Sequence, residues 1–136
     1  MRTSVICLLS LLAISPAQAH QCSRADSQAA VAVAATLSSW QSIYAAYERY
    51  GPCDDGAIAE GFTESVVHLL ATNWASLSDA QSLIATNPTF RSFVISHINA
   101  SADSDEIAKI AVLASTQCPL SATSLCKEIL GAANEP

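Results

Sequence analysis

Ionisable side chains concentrate in one stretch of the chain: Asp54, Asp55, Glu60 and Glu64, with His68 one helical turn further on. Residues four apart on a helix face one another. Glu64 and His68 can therefore share a proton or a metal ion, the raw material of acid–base or metal chemistry. Further ligands would have to come from elsewhere, and no spacing in the sequence supplies them. The same residues also have plainer tasks. An aspartate before a helix caps its free N–H groups, and a glutamate stripe faces solvent or meets a basic protein partner.

The other two histidines read differently. His97 shares a helix face with Phe90, Phe93, Val94 and Ile98, which is the setting of a hydrogen-bonded core histidine. His20 follows Ala19. If the chain is cut there, its imidazole and the new α-amine form a two-nitrogen chelate of the kind copper favours, although a second histidine would be needed. The chain has no G-x-S-x-G elbow, H-E-x-x-H, P-loop or dinucleotide fingerprint. Binding is therefore expected rather than catalysis, with no cofactor. The alternative is a metal-binding protein or hydrolase using Glu64 with His68, or His20.

The elements that must position these groups begin with the export signal. Arg2, the apolar run from Val5 to Ile14 and the small-residue ending Ala17-Gln18-Ala19 read as a secretory signal peptide over residues 1–19. The run is about half the roughly 20 residues a membrane span needs. A periplasmic or secreted single domain over residues 20–136 is expected. Loss of Arg2 leaves five Lys or Arg against twelve Asp or Glu, a net charge of about minus seven. Nucleic acid and anionic membrane surfaces are disfavoured partners for such a chain, and a basic protein is favoured.

Apolar periodicity is helical throughout, which predicts an all-α, disulfide-linked bundle of five or six helices. Val33, Leu37, Trp40, Tyr44 and Tyr47 predict one long helix over residues 26–50, stopped by Gly51 in a left-handed conformation and by Pro52. A second helix follows the aspartates to about Thr72, with Ile58, Phe62, Val66 and Leu69 inward and Glu60, Glu64 and His68 outward. Ser78–Gln81 and Asp103–Glu106 have capping-box spacing and open further helices. Pro88 starts another, ending near Asn99, and Ser121 caps a last one that Gly131 closes. Asn99-Ala-Ser101 matches a glycosylation acceptor, which matters only in a eukaryotic secretory pathway.

Cys22, Cys53, Cys118 and Cys126 remain after the signal, an even number that implies two disulfides in an oxidising compartment. A continuous helix over 26–50 would span roughly 35 Å, while the few residues after Cys22 reach back only about 17 Å. A Cys22–Cys53 bridge would need that helix to break. Cys53 with Cys118, and Cys22 with Cys126, are the expected pairs.

The segments Tyr50-Gly-Pro-Cys-Asp-Asp-Gly-Ala-Ile-Ala-Glu-Gly-Phe62, Phe90-Arg-Ser-Phe-Val-Ile-Ser-His97 and Gln117-Cys-Pro119 resemble those of small exported bacterial helical proteins. In size, helices and paired cysteines the chain also looks like the Rap and Tai immunity proteins of type VI secretion. That likeness implies a soluble periplasmic protein that binds a toxic effector. It carries over no functional residue. The surface expected to meet a partner is therefore the acidic cluster Asp54, Asp55, Glu60, Glu64 and His68.

Overall fold

Within residues 26–50 a local signal competes with the apolar periodicity. The Ser39 hydroxyl accepts from the Ser42 N–H at 3.2 Å, and the Ser42 hydroxyl accepts from the Ser39 N–H at 3.2 Å. This reciprocal capping box starts a helix in mid-stretch. In the computed structural model, which describes residues 21–136, two helices stand where one was expected. They are α1 (Arg24–Val33) and α2 (Trp40–Tyr50), joined by a 3₁₀ turn, Ala34–Thr36, and a short extended link. The signal peptide and His20 lie outside the described residues.

The break has a partner on another helix. Ser65 donates its hydroxyl to the Ala34 carbonyl at 2.6 Å and accepts from the Leu37 N–H at 3.2 Å. Two backbone groups that a continuous helix would pair internally are satisfied from outside, as burial demands. The turn also presses closely on the helix that carries Ser65. A Cβ on Gly61 would lie 2.9 Å from the Ala34 Cβ and 3.0 Å from the Ala35 nitrogen, so only glycine fits this crossing.

Ser65 and Gly61 belong to α3 (Gly56–Thr72), the central helix of the bundle. Asp55 caps it by accepting from the Gly56 N–H at 2.8 Å, and Gly56 takes a positive φ of 52° that suits glycine. The sequence suggests a surface helix with one apolar face. Instead Phe62, Val66, Val67 and Leu70 are fully buried, as are the small polar Thr63 and Ser65, and beyond the first turn exposure is confined to Glu60, Glu64, His68 and Thr72.

Around α3 pack α4 (Leu77–Thr86), α5 (Thr89–Ser96), α6 (Ser104–Thr116) and α7 (Thr123–Asn134). The fold is an all-α bundle of seven helices, with no strand among the described residues. The broken first helix accounts for the helix beyond the expected six. Among the described residues no helix is long and apolar enough to cross a membrane. The ends of three elements differ from expectation. Gly51 is not left-handed (φ −49°) and leads a 3₁₀ turn, Gly51–Cys53. α4 starts at Leu77 without a side-chain cap, after a 3₁₀ turn. α7 starts at Thr123 and runs past Gly131. Between helices, Trp40 donates to Ser76, Trp74 to the Gln117 carbonyl, and Arg91 bridges from α5 to Glu128 and Ser124 of α7.

Both expected disulfide pairings are overturned. Cys22 bonds to Cys53 with Cα atoms 4.8 Å apart, and Cys118 bonds to Cys126 at 6.0 Å. Because the helix breaks at residues 34–39, α1 folds back along α2 and brings Cys22 to the corner that Cys53 occupies. At the other end the turn Leu120–Ala122 and the first turn of α7 return Cys126 to Cys118. Two internal bridges of this kind are the mark of an oxidising environment.

Candidate functional site

Glu60, Glu64 and His68 are four apart on α3, so they stand in one row on its open side. The structure places them along one bank of a groove of about 860 Å³. Ser101, Ala102 and Asp103, from the turn after α5, and Glu106, from the first turn of α6, form the other bank. Ala35 closes one side, and Gly61 and Val67 lie between. His68 Nδ1 meets Glu106 Oε1 at 2.8 Å and joins the banks. Its side chain stays 65% exposed and that of Glu106 27%. A second cleft of about 450 Å³, beyond Ala35, shares Glu64 and His68.

Four carboxylates and one imidazole thus line the groove, with neither Lys nor Arg among the lining residues. Small side chains leave the backbone of the floor close to any occupant. Asp103 Oδ1 is held by the N–H groups of Asp105 and Glu106, at 2.9 and 3.0 Å, which fixes that bank at the start of α6. Glu106 turns across to His68. Such a concave negative surface concentrates cations and the basic side chains of proteins.

Asp54 and Asp55 do not line this groove. Asp55 spends its carboxylate on the α3 cap, while Asp54 turns inward to His97, with Oδ2 at 3.1 Å from Nε2. The five-residue acidic cluster read from the sequence therefore divides: Glu60, Glu64 and His68 line the groove, Asp55 caps α3 at the surface, and Asp54 alone turns inward.

From Asp54 runs a directed chain of hydrogen bonds. A carboxylate only accepts, so His97 donates from Nε2–H to Asp54. Its Nδ1 then accepts from the Thr63 hydroxyl at 3.0 Å. The Thr63 oxygen in turn accepts from Asn99 Nδ2 at 3.2 Å. Asn99 also donates to the Ser96 carbonyl at 2.9 Å, and its Oδ1 accepts from the N–H and hydroxyl of Ser101 at 3.0 and 2.7 Å. His97 is 3% exposed and packs edge-on against Phe93, ring centres 4.4 Å apart. Asp54 Oδ1 is buried without a hydrogen-bond partner.

Hydroxyl, imidazole and carboxylate stand here in the order of a nucleophile, its base and an orienting acid. Thr63 is only 2% exposed, however, so no substrate reaches its oxygen. The chain of bonds is a clamp, and the core-histidine reading of His97 stands. Among the described residues no three His, Cys, Asp or Glu side chains are gathered to hold a metal ion.

Asp103 and Glu106 were read from the sequence as helix caps and not as site residues. Thr63 carried no signal beyond its polarity, and Asn99 only that of a helix end and a glycosylation acceptor. Compared with known proteins, the chain matches no family model, no curated protein and no solved structure.

Proposed function

We propose that this is an exported, periplasmic or secreted binding domain that holds a basic segment of a partner protein in the groove lined by Glu60, Glu64, His68, Asp103 and Glu106. The observation that carries this reading is the groove itself, concave, floored by small residues and lined by four carboxylates without a compensating Lys or Arg. The likeness in size, helices and paired cysteines to the Rap and Tai immunity proteins points to a toxic effector as the partner, which would make the domain an immunity protein or inhibitor. Asp54 and Asp55 lie outside this groove, at the start of α3.

Charge reversal tests it. The double variant Glu60→Lys, Glu64→Lys keeps the helical fold, since both side chains are exposed. It loses capture of the partner from periplasmic extract, and added salt weakens capture by the wild type. Unchanged capture by the variant would sink the reading. Metal analysis of the purified protein addresses the rival class: stoichiometric metal lost on replacing His68 or Glu64 would favour a metal protein.

A further inference from the structure

We propose that the buried Asp54–His97–Thr63–Asn99 chain is a pH-sensitive latch on one bank of the acidic groove. The proposal rests on that groove as the working surface, but the latch operates in the protein alone.

The chain ends on the bank. Asn99 Oδ1 holds the Ser101 N–H and hydroxyl, and the Asn99 carbonyl accepts from the Ala102 N–H at 3.1 Å. Ser101 and Ala102, followed by the α6 cap Asp103, are the residues that line the groove opposite Glu60 and Glu64. The bank is therefore shaped by an amide whose nitrogen donates both to Thr63, at 3.2 Å, and to the Ser96 carbonyl, at 2.9 Å.

The direction of the bonds makes the latch sensitive to one proton. With His97 neutral, every donor has one acceptor: Asn99 to Thr63, Thr63 to Nδ1, Nε2–H to Asp54. A proton taken from solvent at Nδ1 turns that nitrogen into a donor. The Thr63 oxygen must then accept from both Nδ1–H and Asn99 Nδ2–H, while its own hydrogen loses its acceptor. The oxygen has a lone pair for each, but Asn99 makes the longer of the two bonds, at 3.2 Å, and is the one that weakens. The amide, still held by the Ser96 carbonyl at 2.9 Å, pivots about that bond, and the grip of Oδ1 on Ser101 loosens.

The protonated state has its own compensation. His97 becomes a cation against Asp54, whose second oxygen is already buried and unpartnered. Asp54, from the turn before α3, is the charged group that faces His97. α3 otherwise presents Thr63 and Phe62 to the ring and α5 presents Phe93, while Asn99 from the following turn bonds to Thr63. The two protonation states thus favour two arrangements of the bank, which is the requirement for a switch.

Amide shifts and hydrogen exchange at Ser101 and Ala102 test this, followed as pH is lowered. In the wild type the Ser101 signal moves, and its exchange, corrected for intrinsic rate, speeds up about five- to tenfold, the protection one hydrogen bond supplies. His68→Gln removes the open imidazole on the opposite bank and leaves the transition in place. His97→Gln can still accept from Thr63 and donate to Asp54 but does not titrate, so it abolishes the transition. A wild-type bank that does not respond to pH overturns the proposal, and so does an undiminished response in His97→Gln. If that variant fails to fold, the imidazole nitrogen shifts of His97 in the wild type decide: Nδ1 must gain a proton over the pH range in which Ser101 moves. The protein is examined without a partner, so failure to capture one leaves this result untouched.

Discussion

Two histidine–carboxylate pairs of nearly the same chemistry sit on opposite sides of α3, and they serve different ends. His68 meets Glu106 at 2.8 Å with 65% of the imidazole in solvent, whereas His97 meets Asp54 at 3.1 Å with 4% of its side chain exposed. In water the first pair competes with hydration and salt, and it leaves its groups available to an incoming ligand. The carboxylates are about equally exposed, 23% for Asp54 and 27% for Glu106, but the buried His97 ring cannot let go without stranding a polar nitrogen, so the second pair specifies structure. Burial, more than bond length, separates a surface that binds from a scaffold that holds it.

The comparison breaks most readily at the buried pair. His97→Ala leaves the Asp54 carboxylate without its partner and the Thr63 hydroxyl without its acceptor, and opens space beside Phe62 and Phe93. We expect a loss of about 2–4 kcal/mol of stability, read from urea denaturation. A loss below about 1 kcal/mol would show that the chain of bonds is dispensable. Gly61→Val probes the groove's shape rather than its charge, because its side chain would strike Ala34 and Ala35. The expected cost is about 1–3 kcal/mol by overpacking, with loss of hydrogen-exchange protection over residues 34–39. His68→Ala should cost less than about 1 kcal/mol, and an equal loss at His68 and His97 would erase the contrast.

The smallest effect concerns a third carboxylate partner, also exposed. Tyr44 donates to Glu48 Oε1 at 2.6 Å, and that hydrogen bond raises the phenol above its ordinary value of 10.0. A raised value means that the neutral phenol is favoured on folding. The contribution is complete below the unfolded tyrosine's pKa and disappears as pH rises through the folded value. Titration of phenolate absorbance should show one of the three tyrosines ionising late. Glu48→Gln should return it toward the ordinary range.

Most helices could be read directly, because their starts and stops are local chemistry. Asp55 before α3, Asp103 before α6 and the 3.6-residue periodicity of Ile58, Phe62, Val66 and Leu69 need no distant information. The break after α1 was written in Ser39 and Ser42 but hidden, since Leu37, Trp40 and Tyr44 continue helical spacing across it. That single miss propagated. A helix taken as continuous forbade Cys22–Cys53, and the remaining cysteines were then paired wrongly. The groove was half legible for a similar reason. Glu60, Glu64 and His68 align through local geometry, while Glu106 reaches His68 across 38 positions of chain. Asp54 gave no hint that it, and not Asp55, turns inward, because that choice depends on His97, 43 positions away.

The four cysteines among the described residues join in the order in which they occur, first to second and third to fourth. A chain threading out of the ribosome or through a membrane presents them in that same order. An oxidant that acts on each new pair as it appears thus makes the native bridges directly. Among these four no wrong bond then has to be undone, and oxidation in that order asks for a disulfide donor rather than an isomerase. The nested pairing expected from the sequence would have required the opposite, with the first cysteine waiting until the last had emerged.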